Sequence, residues 1–231
     1  GRFNDVIADP RGRVFCGTVA LEVGTRPGRL YRLDTDGSVH PMLENITVSN
    51  GMAFTLDHRH LYYTDSLGLY ETTNGGESWA RLQMPACPKI ITSLVLPPGA
   101  SNTIYIADRE KSDECELGIY RSRDGGANWD LIPVGLDQSL QLRYWSLAVA
   151  TEPQEGIYIS GGIAGEEKFY RTTDEGKTWE ALLDHRCFAT YVDPNPSGKI
   201  FCGGPNRLLV GKDGGDSWNA ILSGKAIWEI A

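Results

Sequence analysis

The sequence lacks a long hydrophobic run. No apolar stretch in its 231 residues approaches the roughly 18 that a membrane-crossing helix needs, and no signal-peptide pattern opens it. Positive charge is also short: 22 Lys and Arg stand against 30 Asp and Glu, a formal net charge of −8. Phosphate binding needs a basic face, so nucleic acid and anionic membrane surfaces are excluded as principal partners. A cation site or a neutral small-molecule ligand fits that charge, and the compartment stays open. Helical periodicity is absent throughout. Cysteine is scarce and irregular: Cys16, Cys87, Cys115, Cys187 and Cys202 form neither a CxxC metal site nor an even disulfide framework. Cys16 and Cys202 sit in matching contexts, Val14-Phe15-Cys16-Gly17 and Ile200-Phe201-Cys202-Gly203, and read as small buried residues of equivalent strands. A Cys87–Cys115 bond is the pairing to expect in an exported protein.

What is abundant is a repeat. Thr72-Thr73-Asn74-Gly75-Gly76-Glu77-Ser78-Trp79 recurs as Ser122–Trp129, Thr172–Trp179 and Gly211–Trp218, with Asp124, Asp174 and Asp213 in the Asn74 place. The tryptophans stand 50, 50 and 39 residues apart, and a looser copy, Asp34-Thr35-Asp36-Gly37-Ser38, lies upstream. Asp or Asn accepts bonds from turn amides, Gly supplies positive φ, and Trp packs on the sheet. Short β-type runs flank each copy, such as Lys168–Arg171 and Glu180–Leu183, and two more precede it. Four short strands per period predict an all-β fold, a β-propeller of four-stranded blades. Five blades are favoured and six are the alternative. The expected bounds are 3–42, 48–84, 90–134, 143–184 and 188–223 in a single domain, with a closing strand over 226–231. The motif resembles the BNR repeat, or Asp-box, of sialidases and sortilin-like propellers, where it lies on the outer edge of the blade and acts structurally.

A second resemblance covers residues 2–66. Arg2-Phe3-Asn4-Asp5-Val6-Ile7-Ala8-Asp9-Pro10, Pro27–Asp34, Ser49-Asn50-Gly51-Met52 and Leu61-Tyr62-Tyr63-Thr64-Asp65-Ser66 are similar, in order and spacing, to the senescence marker protein 30/gluconolactonase/luciferin-regenerating enzyme family. That resemblance implies a divalent cation, usually Ca²⁺, held on the propeller axis by oxygen ligands and able to polarise a lactone carbonyl. By position, Asn50 matches a metal-ligand asparagine, Arg2 and Asn4 match residues facing the substrate, and Asp5 is the acidic neighbour of Asn4. The pattern then breaks. A glutamate ligand has no counterpart, and Thr92 or Ser93 stands where the family's aspartate ligand and general base is expected.

In the later blades the corresponding positions hold Tyr144-Trp145-Ser146, Phe188-Ala189-Thr190 and Ala226–Glu229. Trp145 is a candidate for stacking on a small organic or sugar ring, the alternative for Trp145 and Trp228 being ordinary inter-blade packing. A sialidase reading has Arg2, Arg143 and Tyr144 to draw on but lacks that family's Arg-Ile-Pro segment. The four histidines form no metal spacing, and the acidic stretch from Asp108 to Glu116 reads as a solvated loop. Asn45-Ile46-Thr47 fits a glycosylation sequon. Two functions follow as expectations: a gluconolactonase-type, metal-dependent lactone hydrolase with an incomplete cation site, or a non-catalytic propeller binding a small ligand or protein partner through its channel.

Overall fold

Runs rich in β-branched and aromatic residues, punctuated by glycine turns, favour short antiparallel strands. The computed structural model of the chain describes residues 2–19, 27–65, 68–84, 90–100, 102–108, 118–134, 143–151, 155–162, 166–193, 195 and 197–227, with only the backbone of Asp108 and of 143–145. These residues form five four-stranded sheets, each with its strands side by side in chain order. The first holds β1 (Arg2–Ala8), β2 (Val14–Val19), β3 (Gly28–Leu33) and β4 (Val39–Ile46), and the second β5 (Ser49–Phe54), β6 (Leu61–Asp65), β7 (Gly68–Thr72) and β8 (Ala80–Arg81). The third holds β9 (Ile91–Val95), β10 (Ile104–Asp108), β11 (Gly118–Ser122) and β12 (Asp130–Pro133). The fourth holds β13 (Arg143–Ala150), β14 (Gly156–Gly162), β15 (Lys168–Thr172) and β16 (Glu180–Leu183). The last comprises β17 (Ala189–Val192), β18 (Ile200–Gly203), β19 (Arg207–Lys212) and β20 (Ser217–Ser223).

The sheets meet through their first strands: β1 lies against β5, β5 against β9, β9 against β13, and β13 against β17. First strands gathered around one axis, with the others stepping outward, make a β-propeller. The chain is therefore all-β, with five blades among the described residues.

Period-two alternation sends neighbouring side chains to opposite seams. In β6, Tyr63 packs toward the first blade with Leu30 and Ile46, whereas Tyr62 packs toward the third with Ile91, Ile104 and Ile106. The next seams are filled by Tyr105, Ile119, Ile157 and Ile159, and then by Tyr158, Phe169, Ile200 and Leu209. Burying such side chains stabilises the fold by roughly 1.5–3 kcal/mol each.

The repeated turn is a hydrogen-bonded unit between the third and fourth strands. In the fourth blade the Thr172 hydroxyl bonds Asp174 Oδ1 at 2.9 Å, the Gly176 amide donates to Thr172 Oγ1 at 2.9 Å, and the Thr178 amide donates to Asp174 Oδ1 at 2.9 Å. Thr72, Asn74, Gly76 and Ser78 reproduce this arrangement, as do Ser122, Asp124, Gly126 and Asn128. At Gly176, φ is +85° and a Cβ would come within 2.6 Å of Ile132, so glycine is required there. In the last copy Gly211 replaces the hydroxyl residue, and a single 3₁₀ turn over Asp213–Gly215 takes over. Each turn also docks on the preceding blade: Trp179 Nε1 donates to Pro133 O at 3.1 Å, and Arg171 Nη1 donates to Gly214 O at 2.9 Å.

These bonds hold the Asp124 and Asp174 carboxyls down at about 2, through hydrogen bonds with Asn128 and Thr178 first of all. A carboxyl depressed on folding contributes stability that is present above its unfolded value of 3.8 and lost as pH falls toward 2. Thermal unfolding followed by circular dichroism is therefore expected to weaken between about pH 4 and pH 2. Replacing Asp124 and Asp174 with Asn, which does the same work at Asn74, should flatten that acid limb and leave the neutral midpoint nearly unchanged.

The reading of the matching cysteines needs correction. Cys202 is not a plain buried residue: it forms a disulfide with Cys187, their Cα atoms 5.3 Å apart. Cys187 lies just before β17, where Thr190 pairs with Cys202, so the chain brings the two sulfurs together on the face toward the fourth blade. Cys16, its counterpart in β2, is a half-buried free thiol. Of the expected closing strand, Ala226 and Ile227 lie outside any strand and the rest falls outside the described residues, as do Cys87, Cys115, Trp228 and most of the Asp108–Glu116 stretch.

Candidate functional site

A β-bulge expels one residue from the regular ladder and re-aims its side chain. In β1 the pairing jumps from Phe3 to Asp5, leaving Asn4 out of register. In β5 it jumps from Ser49 to Gly51, leaving Asn50, and in β9 from Ile91 to Ser93, leaving Thr92. In β13 it jumps from Tyr144 to Ser146, leaving Trp145. In the fifth blade Phe188 takes the corresponding place, its amide bonded to Gly203 O at 2.7 Å just ahead of β17. One residue per blade thus stands at the same off-ladder position.

The structure groups Asn4, Asn50, Thr92 and the Trp145 backbone in this way and leaves Ser93 in the ladder opposite Ala107. The Trp145 side chain lies outside the described residues. Arg2 and Asn4 are exposed and Asp5 is half-buried.

The asparagines also hold the seams. Asn4 Nδ2 donates to Ser49 O, and Asn50 Nδ2 donates to Ile91 O at 2.7 Å, each reaching the next inner strand one residue before its bulge. Ser146 Oγ makes the same kind of bond to Cys187 O at 3.2 Å and is hydrogen-bonded to Thr190 Oγ1 at 2.7 Å. The buried Ser49 hydroxyl donates to Asp5 Oδ2 at 3.2 Å. Burial pushes the Tyr63 phenol well above its usual value, with the Asp65 and Asp5 charges adding to the effect. Ser49 and Arg186, whose guanidinium lies 4.5 Å from the Phe188 ring centre, escaped sequence reasoning. The signal for Ser49 was its place immediately before Asn50.

The fit to a divalent cation is poor. Ca²⁺ takes six to eight oxygens and gains affinity with each carboxylate. Among the described residues no group of three or more His, Cys, Asp or Glu converges. Asn4 and Asn50 bond backbone carbonyls through Nδ2 and could give a cation only their neutral Oδ1 atoms, and the Thr92 hydroxyl points at Ala107 O, 3.4 Å away. Placing a carboxylate at the third off-ladder position, Thr92→Asp, is expected to raise Ca²⁺ affinity by at least about tenfold by calorimetric titration. Ser93→Asp, in the ladder, should leave it unchanged.

Comparison with known proteins divides the chain. Residues 1–70 match the family described as the SMP-30/Gluconolactonase/LRE-like region. Pentonolactonase XacC of Haloferax volcanii is 54% identical over 65 residues, 28% of this chain and 22% of that protein. Human regucalcin is 42% identical over 71 residues, 29% and 24% of the two chains. The matches thus span about a quarter of these relatives' length. Whole-chain likeness is of fold alone. The Niastella koreensis GH74 enzyme superposes with a TM-score of 0.72 at 17% identity, over 96% of this chain and 38% of its own. A putative gluconolactonase gives 0.66 at 13% identity, over 98% and 80%. Among the described residues no helix is long and apolar enough to cross a membrane. The chain is a β-propeller whose residues 1–70 are similar to the SMP-30/gluconolactonase/LRE-like region.

Proposed function

We propose that the chain is a lactonase-type propeller whose channel mouth takes a neutral, hydroxyl-rich ring such as an aldonolactone. The observation that carries this reading is a coincidence of place. The region similar to the SMP-30/gluconolactonase family, residues 1–70, lies in the two blades that bear Arg2, Asn4, Asp5 and Asn50. Amide and carboxylate groups suit ring hydroxyls, and the Arg2 guanidinium suits a carbonyl oxygen. Because the residues present do not fit Ca²⁺, no step is routed through a cation. Recognition is assigned to the side chains alone, and a hydroxyl at Thr92 in place of a carboxylate favours binding over turnover.

Calorimetric titration with pentono- and gluconolactones in EDTA tests this, alongside pH-stat hydrolysis with and without Ca²⁺. Binding without added metal is expected, weakened about tenfold by Arg2→Ala, with hydrolysis near background. Absence of binding to any aldonolactone would overturn the reading, and Ca²⁺-dependent turnover would overturn the metal-free account.

A further inference from the structure

The seam between the third and fourth blades departs from its neighbours at one turn. Arg32, Arg121 and Arg171 hold the same register position in their third strands, opposite Phe15, Tyr105 and Tyr158. Two of them reach a glycine carbonyl of the next blade: Arg32 Nη1 donates to Gly75 O at 2.8 Å and Arg171 Nη1 to Gly214 O at 2.9 Å. The turn facing Arg121 carries Glu175 instead. Glu175 has φ +59°, where the other three copies place Gly75, Gly125 and Gly214 at +71°, +72° and +72°. A side chain is strained in that region, and such strain concentrates at ligand clamps and switch segments.

Glu175 meets the arginines through its carboxylate. Its Oε1 accepts from Arg121 Nη1 at 2.8 Å and from Arg123 Nη2 at 2.9 Å, although the side chain is 61% exposed. Arg121 is only 7% exposed, and its buried Nε–H finds no acceptor among the described residues. In the first blade Arg32 gives that proton to Asp34 at 2.6 Å, and two residues beyond Arg121 the chain has Arg123 in place of such an aspartate. The pair therefore holds more donors than the chain supplies acceptors.

Beside the pair lies a cavity of about 270 Å³ lined by Tyr105, Arg121, Arg123, Thr151, Glu155 and Glu175. It reaches Val149 and Ala150 at the end of β13, whereas the off-ladder Trp145 stands near that strand's start, so it is separate from the channel site. Drug-sized ligands occupy roughly 300–1,000 Å³, so this cavity suits a smaller molecule.

We infer that the cavity is a site for a free amino acid, whose carboxylate takes the place of Glu175 between Arg121 and Arg123 and whose ammonium pairs with Glu155. The inference stands independently of the ligand proposed for the channel. A guanidinium matches a carboxylate through two parallel bonds, and Glu175 offers the pair a single oxygen. A ligand carboxylate supplies both oxygens, and Glu175 returns to water at little cost because it is already exposed. Charge selects the zwitterion. With Glu175 withdrawn, Arg121 and Arg123 stand against Glu155 and Asp130, whose Oδ2 lies 3.3 Å from Arg123 Nη1 and 3.7 Å from Arg121 Nη2. A bare anion leaves Glu155 facing a like charge, whereas an amino acid adds none in sum and answers both signs.

Glu175→Gly tests the assignment, since it removes the competing carboxylate and installs the residue that the other turns carry at the same φ. A thermal-shift screen of each standard amino acid selects the probe, and calorimetric titration then compares the variants with the parent. Glu175→Gly is expected to bind that amino acid at least about tenfold more tightly than the parent, and Arg123→Ala at least about tenfold more weakly. The N-acetyl form of the same amino acid, which lacks the ammonium, should also lose at least about tenfold. Aldonolactone binding should be equal in all three proteins. A screen in which no amino acid moves the midpoint of either the parent or Glu175→Gly would overturn the inference. Equal affinity of parent and Glu175→Gly, or of the free and N-acetylated amino acid, would overturn it as well.

Discussion

Phe15→Ala is expected to cost about 3–5 kcal/mol of stability, and Phe201→Ala at the equivalent position less than about 1 kcal/mol. The two residues occupy equivalent strands, β2 and β18, in the same register and a matching sequence context, so propensity and backbone effects cancel between them. Only the seam differs. Phe15 is fully buried, its ring 6.1 Å from Phe54 at a steep angle and its edge against the turn that contains Gly76. Truncation there leaves a cavity between two blades, and the surrounding sheets relax little. Phe201 is half-buried with Tyr191 beside it and, among the described residues, no facing blade, so truncation mainly uncovers surface already in contact with water. Paired urea denaturation curves measure the difference, and equal losses would mean that the fifth blade's outer face is packed.

Reducing Cys187–Cys202 is expected to cost about 3 kcal/mol, a fall of roughly 6–12 °C in thermal midpoint for a chain of this size. The bond spans 15 residues and joins the approach to β17 with β18. Its loss frees a loop in the unfolded chain and loosens Cys187, whose carbonyl accepts from Ser146 and whose amide accepts nothing but donates to Ser160 Oγ at 2.8 Å. The effect should stay local to the fourth and fifth blades. Calorimetry of the Cys187→Ala, Cys202→Ala double variant is expected to show a lower midpoint with aldonolactone affinity unchanged, because Arg2, Asn4, Asp5 and Asn50 stand on the first two blades whereas the bond packs the fifth against the fourth. A midpoint that does not move would show that the bond restrains nothing the fold does not already hold.

The sequence announced its blades through local chemistry. Thr172, Asp174, Gly176 and Thr178 carry their hydrogen-bonded turn within eight residues, so a pattern search sees the whole unit. The equivalence of Asn4 and Asn50 was legible for a similar reason, since both lie near the start of an inner strand and both stand at its bulge. The choice between Thr92 and Ser93 was not, because the register shift that expels Thr92 depends on how β10 pairs with β9. The Cys187–Cys202 bond was hidden too. Cys202 copies the context of Cys16, and what separates them is the preceding blade's approach to β17, which no local pattern encodes. Last, the half-burial of Phe201, against the full burial of Phe15 at the same register position, is a property of the assembled ring that no local pattern encodes.

The central claim is that residues expelled from the inner-strand ladders of the first two blades bind a neutral, hydroxylated ring. Side-chain amide resonances of Asn4 and Asn50, assigned by substitution and followed during titration with a pentonolactone in EDTA, test it most directly. Saturable shifts of both amides, with the turn amides of Gly126 and Gly176 unmoved, are the expected result. Asn4 and Asn50 signals that stay fixed while lactone shifts resonances elsewhere, or shifts none, would contradict it.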